Sequence, residues 1–208
     1  MALASPTPRV LADYLVPSRA PSTSAPSASA SARAIVANAV LVMGGAAFVG
    51  LSAQVIIPLP FTPVPLTLQT FAVLLAGAAL GTWRGIAAMV VYALAGSVGV
   101  PWFAAGSSGW GGASYGYILG FIIAAGVVGR LAERGATLTP LRTAGLMVLG
   151  NVMIYAIGVT YLKFAIDVSW AMALGLGMVP FLLGDALKIA LAAGLFPATW
   201  RLLSGLTR

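Results

Sequence analysis

Pro180-Phe-Leu-Leu-Gly-Asp-Ala-Leu-Lys188 places Asp185 and Lys188 three positions apart, inside an apolar segment that continues as Ile189-Ala-Leu-Ala-Ala193. On a helix, residues i and i+3 share a face. The stretch 180–201 makes about 33 Å of helix, enough to cross a hydrocarbon core of about 30 Å. Pro180 suits its first turn, where a missing N–H costs nothing. An ionisable pair inside such a helix is expensive and points to a functional site. The alternative is an ion pair that neutralises itself and binds nothing.

The rest of the chain agrees with a membrane setting. It has 208 residues, 60% of them hydrophobic and only 7% charged, with a mean hydropathy of +1.01. That composition predicts an all-α, polytopic membrane protein of one domain. The net charge of +7 comes from scarce acids. The arginines are scattered without interleaved aromatics, which gives no footprint for nucleic acid. There is no Cys and no His, so thiolate chemistry, disulfides and histidine metal sites are excluded, and redox compartment cannot be read. Asp13, Glu133, Asp167 and Asp185 are too dispersed to suggest a carboxylate metal cluster.

Residues 1–30 are of another composition, with a Ser/Ala/Pro run over 17–31. They read as a disordered tail, and the membrane domain as 31–208. They lack the apolar core of a secretory signal. Six spans are predicted: 34–57, 66–81, 86–104, 115–131, 143–161 and 180–201, with 169–179 a short interfacial or re-entrant segment. In the first span Ala39, Ala46, Gly50 and Ala53 form a small-residue face, suited either to a partner helix or to packing within the protein. Prolines 58, 60, 63 and 65 rule out a helix between the first two spans and favour an extended turn. Gln69 lies in an otherwise apolar first turn and needs a polar partner, from a helix or a ligand. Gly81-Thr-Trp-Arg-Gly85 reads as a tight turn carrying Arg84. The stretch Ala105-Gly-Ser-Ser-Gly-Trp-Gly-Gly-Ala-Ser114 is a flexible loop. It is not followed by Gly-Lys-Ser/Thr, so it is no Walker A loop. Trp110, Tyr115 and Tyr117 read as interfacial anchors or as rings against an apolar ligand. Asn151 and Tyr155 are the polar residues of the fifth span.

With six spans, Arg9, Arg19, Arg33, Arg84, Arg130, Arg134, Arg142, Arg201 and Arg208 fall on one side and Lys163 on the other. The positive-inside rule then makes both termini cytoplasmic. Asp185 and Lys188 lie about 8 Å and 12 Å below the outer face on this count. Gln69, the Gly/Ser loop and Tyr115–Tyr117 converge on the same outer side, where a receptor for an external solute would place its pocket.

Three stretches carry a resemblance: Ile57-Pro-Leu-Pro-Phe-Thr-Pro-Val-Pro-Leu-Thr-Leu-Gln-Thr-Phe71, the Gly-rich loop leading into Tyr115-Gly-Tyr-Ile-Leu-Gly-Phe121, and Pro180–Lys188. Over about 35–193 the chain resembles the BioY family, the biotin-binding S components of energy-coupling factor (ECF) transporters. The resemblance implies a multi-pass protein of the bacterial cell (inner) membrane that captures biotin from outside. Its implied partners are a transmembrane coupling protein and two ATPases, with a homo-oligomer also compatible. It implies no cofactor beyond the transported biotin, with ATP hydrolysed by the partners. It implies ligand contacts at Asp185 and Lys188, and pocket-lining positions at Gln69, Trp110, Tyr115 and Tyr117. An ammonium suits a carboxylate and a carboxylate suits ureido N–H groups, but which end of biotin meets which residue stays open. The family's Ala-xxx-Ala docking pattern has its spacing here at Ala30 and Ala34, while Ala46 and Gly50 lie deeper.

Two other functions compete. A self-sufficient carrier would use Asp185 for proton coupling and would work without ATPases. An intramembrane enzyme would need a nucleophile beside a base, and none can be assigned, so a non-enzyme is expected.

Overall fold

Glycine sets how closely the helices of this protein approach. In the computed structural model, which describes residues 10–16 and 28–206, seven helices are connected by short turns and two longer loops. They are α1 (Ala28–Ser52), α2 (Gln69–Leu80), α3 (Thr82–Ser97), α4 (Tyr115–Ala132), α5 (Pro140–Ala165), α6 (Trp170–Gly177) and α7 (Leu182–Leu206). A Cβ at Gly129 would lie 2.5 Å from the Gly81 carbonyl carbon, and one at Gly77 would lie 2.9 Å from the Ala125 backbone. Gly120 approaches the Ile154 backbone in the same way. These contacts seat α4 centrally, against α2, α3 and α5. Without a hydrophobic force between helices in lipid, such close backbone approach is what holds a bundle.

Four stretches among the described residues are long and apolar enough to cross a membrane: Ser31–Ser52, Tyr115–Ala132, Pro140–Ala165 and Trp170–Ser204. The last contains α6, a single 3-10 turn (Val179–Phe181) and α7. The second and third expected spans are shorter. α2 has 12 residues and α3 has 16, about 18 Å and 24 Å of helix. Between them Gly81 adopts φ +84, a left-handed conformation that glycine alone enters freely.

Four boundaries correct the sequence reading. α3 begins at Thr82, not 86, so Arg84 lies inside its first turn and is buried, rather than in the tight turn expected at 81–85. The reason is a tertiary cap: Glu133 Oε1 accepts from the Thr82 backbone N–H at 2.8 Å, placing a carboxylate at a positive helix end. α3 then stops at Ser97, ahead of Gly99 and Pro101. The proline-rich turn is closed by two antiparallel strands, β1 (Ile56–Ile57) and β2 (Leu66–Thr67), the one departure from all-α among the described residues. Finally, residues 10–16 include a 3-10 turn at Leu11–Tyr14, within the stretch expected to be a disordered tail. Val10 and Ala12 are buried there. The remainder of that stretch up to residue 27 lies outside the described residues.

The small-residue face of α1 is split: Ala39 is exposed, and the remainder turns inward. Ala46, Gly50 and Ala53 are buried, and a Cβ at Gly50 would press on the Trp102 ring at 3.0 Å. Internal packing therefore accounts for that half of the pattern. The Ala30 side chain lies outside what the structure describes.

The bundle has two unlike ends. One gathers ion pairs: Arg84 binds Asp13 at 3.0 Å and Asn38 at 2.7 Å, Arg130 meets Glu133, and Trp200 donates to Thr137. Burial pushes the Glu133 carboxyl up, but the bonds from Thr82 and the Arg130 charge outweigh it and hold it below its ordinary value. The other end carries the β1–β2 hairpin, the loop 98–114 and α6.

Candidate functional site

At the hairpin end, a cavity of about 140 Å³ opens between the start of α2, the loop 98–114 and the start of α4. Val64, Pro65, Thr67, Thr70 and Tyr117 line both it and a smaller chamber of about 40 Å³. That smaller chamber is completed by Leu66, Tyr155, Phe181, Asp185 and Lys188. The two form one recess, wide and hydroxyl-rich at one end, narrow and ionic at the other.

Asp185 and Lys188 are one turn apart on α7, as the sequence spacing predicts. Lys188 Nζ lies 3.3 Å from Asp185 Oδ1. It also donates to the Thr67 carbonyl and to Thr70 Oγ1, each at 2.9 Å. An ammonium has three hydrogens, and all three have acceptors here. Asp185 is 3% exposed, and its Oδ2 accepts from the Tyr155 hydroxyl on α5. The ion pair is thus buried, neutral as a unit, and bonded on both sides, which is the condition under which such a pair is tolerated.

Gln69, the first residue of α2, lines the larger chamber and is buried. Its Nε2 donates to the Tyr92 hydroxyl at 2.7 Å, so the polar partner that its apolar turn demanded is a tyrosine of α3. Tyr115 and Tyr117 both line the recess. Tyr115 Oη pairs with Ser97 Oγ at 2.9 Å, and Tyr117 Oη donates to the Gly177 carbonyl at 2.7 Å. The Tyr117 ring fits because residues 158 and 177 are glycine; a Cβ at either would meet it at 2.4 Å or less. Trp110 is not brought into the recess: it is 69% exposed, with its ring against Tyr115 at 5.5 Å.

Tyr155, Thr67 and Thr70 were not among the expected site residues. Tyr155 lies 30 positions from Asp185, so no local pattern links them. The two threonines did leave a signal: Leu66-Thr-Leu-Gln-Thr70 groups three polar side chains at the start of an otherwise apolar helix. Among the described residues no group of three or more His, Cys, Asp or Glu could hold a metal ion.

A family model, the BioY family, matches residues 22–205. The biotin transporter BioY of Thermotoga maritima is 39% identical over 140 residues, covering 66% of this chain and 81% of that protein. The biotin transporter BioY2 of Lactococcus lactis is 33% identical over 154 residues, 73% of this chain and 83% of the other. The crystal structure of an S-component for biotin from an ECF-type ABC transporter superposes with a TM-score of 0.73. It covers 85% of this chain and 95% of that one at 20% identity, and so shows a shared fold. The chain belongs to the BioY family.

Proposed function

We propose that this chain is a membrane-embedded biotin-binding subunit that captures biotin from outside the cell for ATP-driven uptake. One observation carries the reading: the recess at the hairpin end terminates in the buried, neutral Asp185–Lys188 pair bonded to Tyr155. The names of its relatives supply the ligand.

The chemistry of that end argues for an orientation. A carboxylate entering the narrow chamber would leave a net negative charge buried, at several kcal/mol. A ureido group is neutral, with two N–H donors and one carbonyl acceptor. Asp185 has lone pairs left to accept, and Lys188 can give the carbonyl a hydrogen by exchanging its longest bond, the 3.3 Å contact with Asp185 Oδ1, while keeping Thr67 and Thr70. The ureido ring therefore sits at Asp185 and Lys188. The valeryl chain runs along Tyr117 and Val64, and its carboxylate lies near Ser107, Ser108 and the open side of the larger chamber.

Six crossings, with the α2–α3 hairpin completing the count, leave the ion-pair end cytoplasmic by the positive-inside rule. The recess then faces outward. The chain carries no nucleotide-binding motif, so energy comes from a coupling protein and two ATPases, and the chain itself is no enzyme.

Calorimetric titration of the purified protein with biotin tests the reading, with Asp185→Ala and Lys188→Ala beside it. Near-stoichiometric binding lost in both variants is the expected result; no binding by folded wild-type protein would sink it. The orientation has its own test. Biotin methyl ester should retain affinity within about tenfold, whereas blocking a ureido N–H should cost about 1–3 kcal/mol or more, because a buried acceptor is left unpaired. The opposite order would reverse the assignment.

A further inference from the structure

The loop that lines one side of the larger chamber is rich in glycine and holds a single 3-10 turn, Ala104–Gly106. Phe103, Ala104, Ser107, Ser108 and Gly109 face the cavity, while Gly106, Gly109 and Gly111 take positive φ. Ala105 does too, at φ 58, a strained choice for a residue with a Cβ. Such a conformation persists only when its surroundings impose it.

Turn bonds within the loop close it from Phe103 to Ser107, and Gln54 braces that turn from outside. This residue follows the end of α1, is exposed, and lines no described cavity. Its Nε2 lies 3.0 Å from the Gly50 carbonyl oxygen and 3.2 Å from those of Trp102 and Phe103. Its Oε1 accepts from the Gly106 N–H at 3.1 Å. One amide thus grips the loop on both sides of Ala105. Trp102 carries the tie inward: its ring covers Gly50, and its Nε1 donates to the Tyr92 carbonyl at 3.0 Å. The Tyr92 hydroxyl bonds the Trp102 carbonyl at 3.3 Å and receives Gln69 Nε2 at 2.7 Å. Hydrogen bonds therefore run unbroken from the end of α1 to Gln69 and Phe103, which both line the chamber.

We propose that Gln54 is a positioning residue of the ligand site, fastening the root of the 98–114 loop to α1 so that loop and helix end move as one body. A ligand that orders the loop then also fixes the outer end of α1. The proposal deepens the biotin reading and rests on it for the choice of probe.

Two substitutions in the full chain separate grip from bulk. Gln54→Leu removes every bond that the Gln54 amide makes, and Gln54→Glu keeps the shape but turns the donor into an acceptor facing three carbonyl oxygens. Hydrogen exchange of the ligand-free protein should quicken about tenfold at the amides of 102–112 in both variants, and stay unchanged at 70–80. Biotin affinity should fall about tenfold in both, since a smaller fraction of the ligand-free protein holds the loop in its binding shape. Unchanged exchange at 102–112, a Glu variant that behaves as wild type, or faster exchange with unaltered biotin affinity would each overturn the proposal. If wild-type protein binds no biotin, the ligand reading fails by itself, and the exchange data still decide whether Gln54 holds the loop.

Discussion

Lys188 has its three hydrogens committed to Thr67, Thr70 and Asp185, so its charge is held in place before any ligand arrives. Preorganisation of this kind lowers the ordering cost of binding. It also makes the pair costly to halve. Lys188→Ala leaves the Asp185 carboxylate buried without its counter-charge, and about 3–5 kcal/mol of stability should be lost. The double variant Asp185→Asn/Lys188→Met should recover most of that in thermal unfolding, yet still fail to bind biotin. A double variant as unstable as the single one would mean that the pair is needed for folding itself. Tyr155→Phe is milder: it removes one donor to Asp185 and should weaken biotin binding by about tenfold, the worth of a bond to a charged group, with the fold intact by circular dichroism.

Among the elements, α4 depends most on the absence of side chains. Gly129→Ala would drive a methyl group into the Gly81–Thr82 backbone at 2.5–2.7 Å, where nothing flexible can yield. It should lower the unfolding temperature sharply or abolish folding. Gly145→Ala on α5 is the matched control, because a Cβ there meets nothing within 4 Å, and it should be near neutral. The start of α3 adds a pH dependence. The Glu133 carboxyl is held below its ordinary value by Thr82 and Arg130. Its contribution is therefore present above the unfolded-state value and is lost as pH falls through the folded one. Glu133→Gln should flatten the acid side of the stability profile, and an unchanged profile would assign that loss to other carboxylates.

At the scale of the whole molecule, the Arg84 and Arg130 ion pairs at one end and the recess around Asp185 and Lys188 at the other give the bundle a direction. The chain has no native cysteine, so single cysteines report topology without interference. Ser108→Cys should react with an impermeant maleimide in intact cells, and Leu202→Cys only after permeabilisation; the reverse pattern would invert the orientation. Much of this was legible in local pattern. Scarce charge marked a membrane protein, the i,i+3 spacing marked Asp185 and Lys188, and four prolines marked a break between helices, because each is a property of residues close along one segment. Arg84 reads as part of a tight turn, since nothing near it in the chain announces that Glu133, 51 positions from Thr82, caps the helix it sits in. Trp110 reads as part of the pocket in sequence, because composition does not tell an inward ring from an outward one, and it is exposed. The apolar helices, and the charged pair that one of them carries, follow from residues adjacent in the chain. What surrounds that pair follows from packing, because Tyr155, Thr67 and Thr70 reach it across helix contacts whose closeness is set by glycines far from them in sequence.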